Sequence, residues 1–132
     1  MKATWHEFKG NKCSEIEKAP VNGTYPVEDV MIPKKVKGNI GLIIKGYFNA
    51  PQDDIYTFAL LSDDGSTLTI DSEQIVDNDG PHGPKEIVGQ KALAKGYHPM
   101  ELRYFDQNGG QLKLKVTGSD GKEIPFTHLY AH

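Results

Sequence analysis

Cysteine is nearly absent from this chain: Cys13 stands alone. An intrachain disulfide is therefore excluded, and a structural zinc site built on thiolates goes with it. The compartment stays open, because a secreted domain of this size can do without bridges. Long apolar runs are also missing. No stretch approaches the roughly 18 residues of a membrane span. The opening MKATWHEFKG has no apolar segment of the signal-peptide type. An exported protein would carry its signal outside this chain, so the module is expected to be excised from something larger. There is no excess of basic residues either. The net charge is −3, which argues against nucleic acid as a partner. The basic stretch PKKVKG, broken by Pro33 and Gly38, reads as a solvated loop.

Catalytic signatures are missing as well. The sequence contains no G-x-S-x-G elbow, no H-E-x-x-H and no phosphate-binding G-x-x-x-x-G-K-[ST] loop. His6, His82, His98, His128 and His132 show no metal spacing and are read as surface or turn residues. DNDG at 77–80 imitates the start of an EF-hand. It fails because the fifth loop position is Pro81 and the twelfth is Val88, where a bidentate Glu is required. It reads as a polar turn. The expectation is a non-enzyme.

The 132 residues suit one domain, residues 1–132, with enough apolar material for its own core. Fourteen glycines and eight prolines are scattered at short intervals, which favours many short strands. Between them the apolar period is two. STLTID puts Leu68 and Ile70 on one face, and HPMELRYF does so with Met100, Leu102 and Tyr104. QLKLKV turns Leu112, Leu114 and Val116 inward and Lys113 and Lys115 outward. DIYTFALLSD is apolar on both faces, as in a strand buried on both sides. Helical period is scarce. KCSEIEKA allows one or two turns, and ALAK lies too tightly between Gly89 and Gly96 for a stable helix. The expected fold is all-β, an antiparallel, jelly-roll-like β-sandwich with minimal helix.

Two polar turns stand out. In LLSDDGSTLTID, Asp64-Gly65 is good hairpin chemistry, but the adjacent Asp63 adds like-charge repulsion. The pair is either a solvated turn or a grip on a cation or hydroxylated ligand. Neighbouring side chains of an extended strand diverge; a cis peptide would turn both carboxylates to one side. The second turn, YFDQNGGQ, offers Asp106, Gln107 and Asn108, with carbonyls freed by Gly109 and Gly110. If both loops meet at one rim, three carboxylates surround one point. They then need a cation or must take up protons.

The ordered combination of strand-SDDG-strand, VDNDGPH, the LAKGYHP approach and the following LRYF strand resembles the protective-antigen (PA-fourteen) domain family. The likeness is strongest over residues 38–118, with an echo in IPFTHLY. It implies a β-sandwich module of secreted proteins: bacterial glycoside hydrolases, yeast flocculins and adhesins, and toxins. In sugar-binding fungal members a paired Asp holds Ca2+ through a cis peptide, and the ion holds two sugar hydroxyls. Asp63 and Asp64 match that pair. A later loop that begins with Asn in those members begins here with Asp106, and the carbonyls of Asn108 and Gly110 are further candidate ligands.

The resemblance thus implies a Ca2+ site of Asp63, Asp64, Asp106, Asn108 and Gly110. It implies a ligand site of Asp63, Asp64, Asp106, Gln107 and Asn108. Trp5, Tyr97 and Tyr130 are the aromatic candidates for sugar stacking. The implied function is a non-catalytic, lectin-like carbohydrate-binding or substrate-shaping module, outside the cell, on its surface or in the periplasm. Its partners would be a glycan and the catalytic domain of a parent chain, a glycoside hydrolase. The alternatives are an adhesin lectin domain, or a ligand-free structural or protein-interaction module with an apolar outer face.

Overall fold

A computed structural model of the chain describes residues 2–26, 39–107, 110–124 and 129–130, the last two as backbone only. The basic stretch at 33–38, Asn108 and Gly109, and His128 and His132 lie outside the described residues. Two antiparallel sheets form a β-sandwich. The strands are β1 (Lys2–Glu7), β2 (Val21–Pro26), β3 (Ile40–Ala50), β4 (Asp54–Asp63), β5 (Ser66–Ile70), β6 (Glu73–Asn78), β7 (Lys85–Leu93), β8 (Gly96–Asp106), β9 (Gln111–Thr117) and β10 (Leu129–Tyr130). The larger sheet runs β2-β1-β3-β8-β5-β6, with β10 beside β3; the smaller is β7-β4-β9. KCSEIEKA makes the expected short helical piece, a 3-10 helix over Cys13–Lys18. ALAK makes none: its first two residues end β7, as the two bracketing glycines suggest.

The core lies between the sheets and uses the inward set read from the period-two pattern. Leu68, Ile70, Leu102, Tyr104 and Leu114 are wholly buried. Phe48 of the larger sheet meets Tyr56 and Phe58 of the smaller one edge-on, with ring centroids 5.3 and 5.6 Å away. That three-ring contact joins the layers, and such geometry adds to the gain from burial alone. At the other side β6 and β7 close the sandwich over Gly89. A Cβ there would run into the carbonyl oxygen of Ile75, so the sheets approach as closely as they do only over a glycine. A second cluster of Phe8, Cys13, Ile16, Ile43 and Phe105 packs the 3-10 helix onto the outside of the larger sheet. Burial, followed by the charge of Asp79, pushes the Cys13 thiol well above its ordinary range, which makes it an inert packing residue.

Three sequence expectations are corrected. The strand DIYTFALLSD is central in its sheet, but only one of its faces is buried: Tyr56, Phe58 and Leu60 lie in the core, while Ile55 is 52% exposed. The smaller sheet packs by one face, and no described element covers the other. His6 is not a surface residue. It is 3% exposed, and its Nδ1 lies 2.9 Å from the Ala19 carbonyl oxygen, where β1 meets the chain leaving the 3-10 helix. Finally, SDDG is not a hairpin tip. Strand β4 belongs to the smaller sheet and β5 to the larger, so the turn is a corner where the chain changes layers. The chain changes layers again between β8 and β9.

Candidate functional site

These two corners share one rim. β8 pairs along its whole length with β3, Ile40 opposite Asp106 through Ala50 opposite Gly96, which leaves Asp106 at the strand's end. Strand β9 starts beside the end of β4, with Gln111 opposite Asp63. The peptide bond between Asp63 and Asp64 is cis. The corner is tied to β8, not to its own flanking strands: the Asp64 N–H donates to the Phe105 carbonyl at 3.2 Å, and the Phe105 N–H donates to the Gly65 carbonyl at 3.0 Å.

The Asp64 carboxylate ties together three loops. Its Oδ1 accepts the His82 N–H at 3.2 Å and its Oδ2 accepts the Gln107 N–H at 3.0 Å. Hydrogen bonds to an ionised acceptor are the stronger kind, and each oxygen keeps a further lone pair for a second partner. Asp106 is 4% exposed. Between it and the first corner stands Tyr104, whose buried hydroxyl donates to the Asp63 carbonyl at 2.6 Å. Burial pushes the phenol well above its ordinary range, and the negative charges of Asp106, Asp63 and Asp64 push it further. Gly110 presses on the same point. A Cβ on it would collide with the Asp63 carbonyl oxygen and the Tyr104 hydroxyl, and would stand 2.9 Å from the Asp106 carboxyl carbon. Glycine is therefore required by close approach, and the expected meeting of both acidic loops is found.

Beneath the rim lies a buried polar cluster. Ser62 Oγ and Ser66 Oγ are 2.5 Å apart. Asn78 Nδ2 donates to the Lys85 carbonyl at 2.8 Å and to the Leu60 carbonyl and Ser62 Oγ at 3.3 Å. Asn78 Oδ1 is buried with no partner.

The donors at the rim are carboxylates and carbonyls, the oxygen chemistry a hard cation such as Ca2+ takes. Among the described residues, however, no three His, Cys, Asp or Glu side chains are grouped as ligands of one ion. A coordination sphere here would draw on Asp63, Asp64 and main-chain oxygens, Asn108 lying outside the described residues. Bound there, such an ion would offer open coordination positions to neighbouring hydroxyls.

The aromatic candidates do not join this rim. Trp5 packs against the core and donates its Nε1–H to the Tyr25 hydroxyl at 3.0 Å. Tyr97 is 56% exposed, but it sits nine residues from Asp106 on one strand, about 30 Å away at strand rise. The Tyr130 side chain lies outside the described residues. A concavity of about 370 Å3 lined by Lys45, Tyr47, Thr69 and Glu101 also lies elsewhere, on the outer face of the larger sheet. There Glu101 bridges Lys45 and Arg103 at 3.5 and 3.3 Å, as befits a solvated, salt-bridged face.

Sequence reading missed Tyr104 and the His82 N–H. An inward tyrosine two residues before Asp106 was the available signal, since a buried hydroxyl needs an acceptor. The His82 backbone carried none. Tyr104→Phe is expected to cost about 1–2 kcal/mol, because the Asp63 carbonyl loses its donor in a buried setting. Urea denaturation with an unchanged m-value checks it; wild-type stability would refute the role.

The family model described as PA14 domain matches residues 1–126. No curated protein sequence matches the chain. Among solved structures, the PA14 domain of the MpAFP antifreeze protein superposes with a TM-score of 0.83 at 12% identity, over 98% of this chain and 89% of that one. A PA14 sugar-binding domain from an RTX adhesin does so with a TM-score of 0.81 at 16% identity, over 99% and 97%. A β-glucosidase from Kluyveromyces marxianus, solved with glucose, gives a TM-score of 0.68 at 15% identity; 96% of this chain matches 16% of that one. At these identities the likeness is one of fold. With the family model spanning nearly all of its length, the chain belongs to the PA14 domain family.

Proposed function

We propose that this chain is a non-catalytic carbohydrate-binding module of a larger, exported glycan-processing protein, and that glycan meets it at the acidic rim. The observation that carries this reading is the meeting of the Asp63-Asp64 corner with the Asp106 end of β8 at one rim, where the Tyr104 hydroxyl donates to the Asp63 carbonyl and the Asp64 carboxylate accepts the Gln107 N–H. Two layer-crossing corners position these residues there, and no element of the larger sheet's solvated face is needed. Support comes from the sugar-binding domain of the RTX adhesin and from the glucosidase in which the same fold forms a small part. Asp63 and Asp64 would hold Ca2+ with Gly110 and Asn108 main-chain oxygens, and Asp106 would supply buried negative charge beside them. Gln107 stands next to Asp64 and would border the sugar. With Trp5 and Tyr97 away from the rim, recognition would rest on hydroxyl coordination, not on stacking.

The test is calorimetric titration of Ca2+ into the wild type and Asp63→Ala, followed by a glycan array with Ca2+ or with EDTA. Saturable heat in the wild type alone, and array signals lost in EDTA, are expected. No heat with the wild type removes the metal; a blank array in both conditions removes the glycan.

A further inference from the structure

The outer face of the smaller sheet has a composition that a solvated sheet face does not need. Its central strand is largely apolar: Ile55 is 52% exposed, as Val88 of the neighbouring β7 is at 54%, and Ala59 and Leu61 lie on the same face of β4. Thr57 interrupts the row, its hydroxyl accepting from Gln90 Nε2 at 3.0 Å. Its two edges carry opposite charge. Register puts Glu86, Leu61 and Lys113 in one transverse row, and Val88, Ala59 and Lys115 in the next. Among the described residues neither Glu86 nor Lys113 forms an ion pair.

The Glu86–Leu61–Lys113 row is self-complementary about a two-fold parallel to the strands. Consider a two-fold axis running parallel to β4, midway between two copies stacked face to face. It keeps each row at its own height and exchanges the β7 and β9 edges. Glu86 of one copy then faces Lys113 of the other, twice over; Val88 faces Lys115, and Leu61, Ala59 and Thr57 meet their own counterparts. A two-fold across the strands instead sets the lysine edge against itself, which like-charge repulsion opposes. Sheets stacked this way sit about 10 Å apart, with strand directions within about 30°. We infer that the outer face of β7-β4-β9 is a self-association surface, its occupant a second copy of this chain placed by the reciprocal Glu86–Lys113 pairs.

Three strands at about 4.8 Å spacing and seven residues at about 3.3 Å rise give a footprint near 14 by 23 Å, roughly 300 Å2 per copy. This is the size of a weak, transient contact, so the dimer is expected at protein concentrations of about 100 µM and above. Such contact would go beyond glycan binding by doubling the number of acidic rims per particle, and avidity would rise without any new sugar contact.

Sedimentation velocity on the 132-residue chain, from about 10 to 500 µM at low salt, tests the inference. The wild type is expected to shift from monomer to dimer across that range. Lys113→Glu and Glu86→Lys are each expected to weaken association at least about tenfold, by placing like charges together. The double variant, in which the charges are exchanged, is expected to restore it. Val88→Asp is expected to leave a folded monomer, with folding verified by circular dichroism. A wild type monomeric at every concentration leaves the face to another occupant, such as a neighbouring domain, and overturns the inference. So does a dimer indifferent to these variants, or a double variant that fails to recover.

Discussion

Asp64→Ala is expected to melt about 6–12 °C below the wild type in EDTA, and to show no further stabilisation when Ca2+ is added. The first effect follows from the carboxylate's internal work. It accepts the His82 N–H and the Gln107 N–H, so its loss releases two loops from the SDDG corner at once. A hydrogen bond to a charged acceptor contributes about 1.5–3 kcal/mol, but the Gln107 bond is exposed. A total near 2–3 kcal/mol is therefore reasonable for the pair, and for a chain of this size that converts to the stated shift. Asp64→Asn keeps one acceptor oxygen and should lose about half as much. The second effect is linkage: a ligand bound only by the folded state raises the melting temperature with its concentration, and this rise disappears with the site. Thermal melts by circular dichroism separate the two. A variant within about 2 °C of the wild type in EDTA would show that Asp64 does not hold the loops. Equal Ca2+ stabilisation in both proteins would show that it does not hold the ion.

Phe48→Ala should cost more, about 3–5 kcal/mol, the range for truncating a buried phenylalanine. The side chain is 1% exposed and belongs to the larger sheet. Its ring lies edge-on to Tyr56 and Phe58 of the smaller one. Truncation thus empties the space that couples two layers instead of a gap within one. Neither sheet can close over it readily, because β6 and β7 already meet at Gly89. Phe48→Leu keeps most of the volume and should lose much less. Urea denaturation of both variants is the check. A loss under about 2 kcal/mol for alanine would mean that the layers collapse to fill the cavity.

The acidic rim and the outer sheet face adjoin: Leu61, in the row of Glu86 and Lys113, stands two residues before Asp63, and Gln111, two residues before Lys113, lies opposite Asp63. Variants of Glu86 and Lys113 are therefore also titrated with Ca2+, so that loss of self-association and loss of the rim are told apart.

What the letters determined by themselves was local and repetitive. Alternation in STLTID, HPMELRYF and QLKLKV named the inward residues correctly, because a strand's side chains alternate whatever its neighbours are. The glycine bracket around ALAK excluded a helix for an equally local reason. The adjacent carboxylates of SDDG marked an unusual turn through their mutual repulsion, but left a solvated turn and a grip on a ligand both open. Tertiary structure alone decided which strands are neighbours. Asp64-Gly65 has hairpin chemistry yet changes layers, since β5 finds its partners in β6 and β8. An apolar outer row on β4 reads as buried, yet faces outward because its sheet has one layer to pack on. His6 is polar, yet lies inside where the 3-10 helix segment returns over β1. In each instance the outcome depends on contacts between residues far apart in the chain. Such contacts are set by loop closure and the packing of whole layers, quantities that no short window of sequence contains.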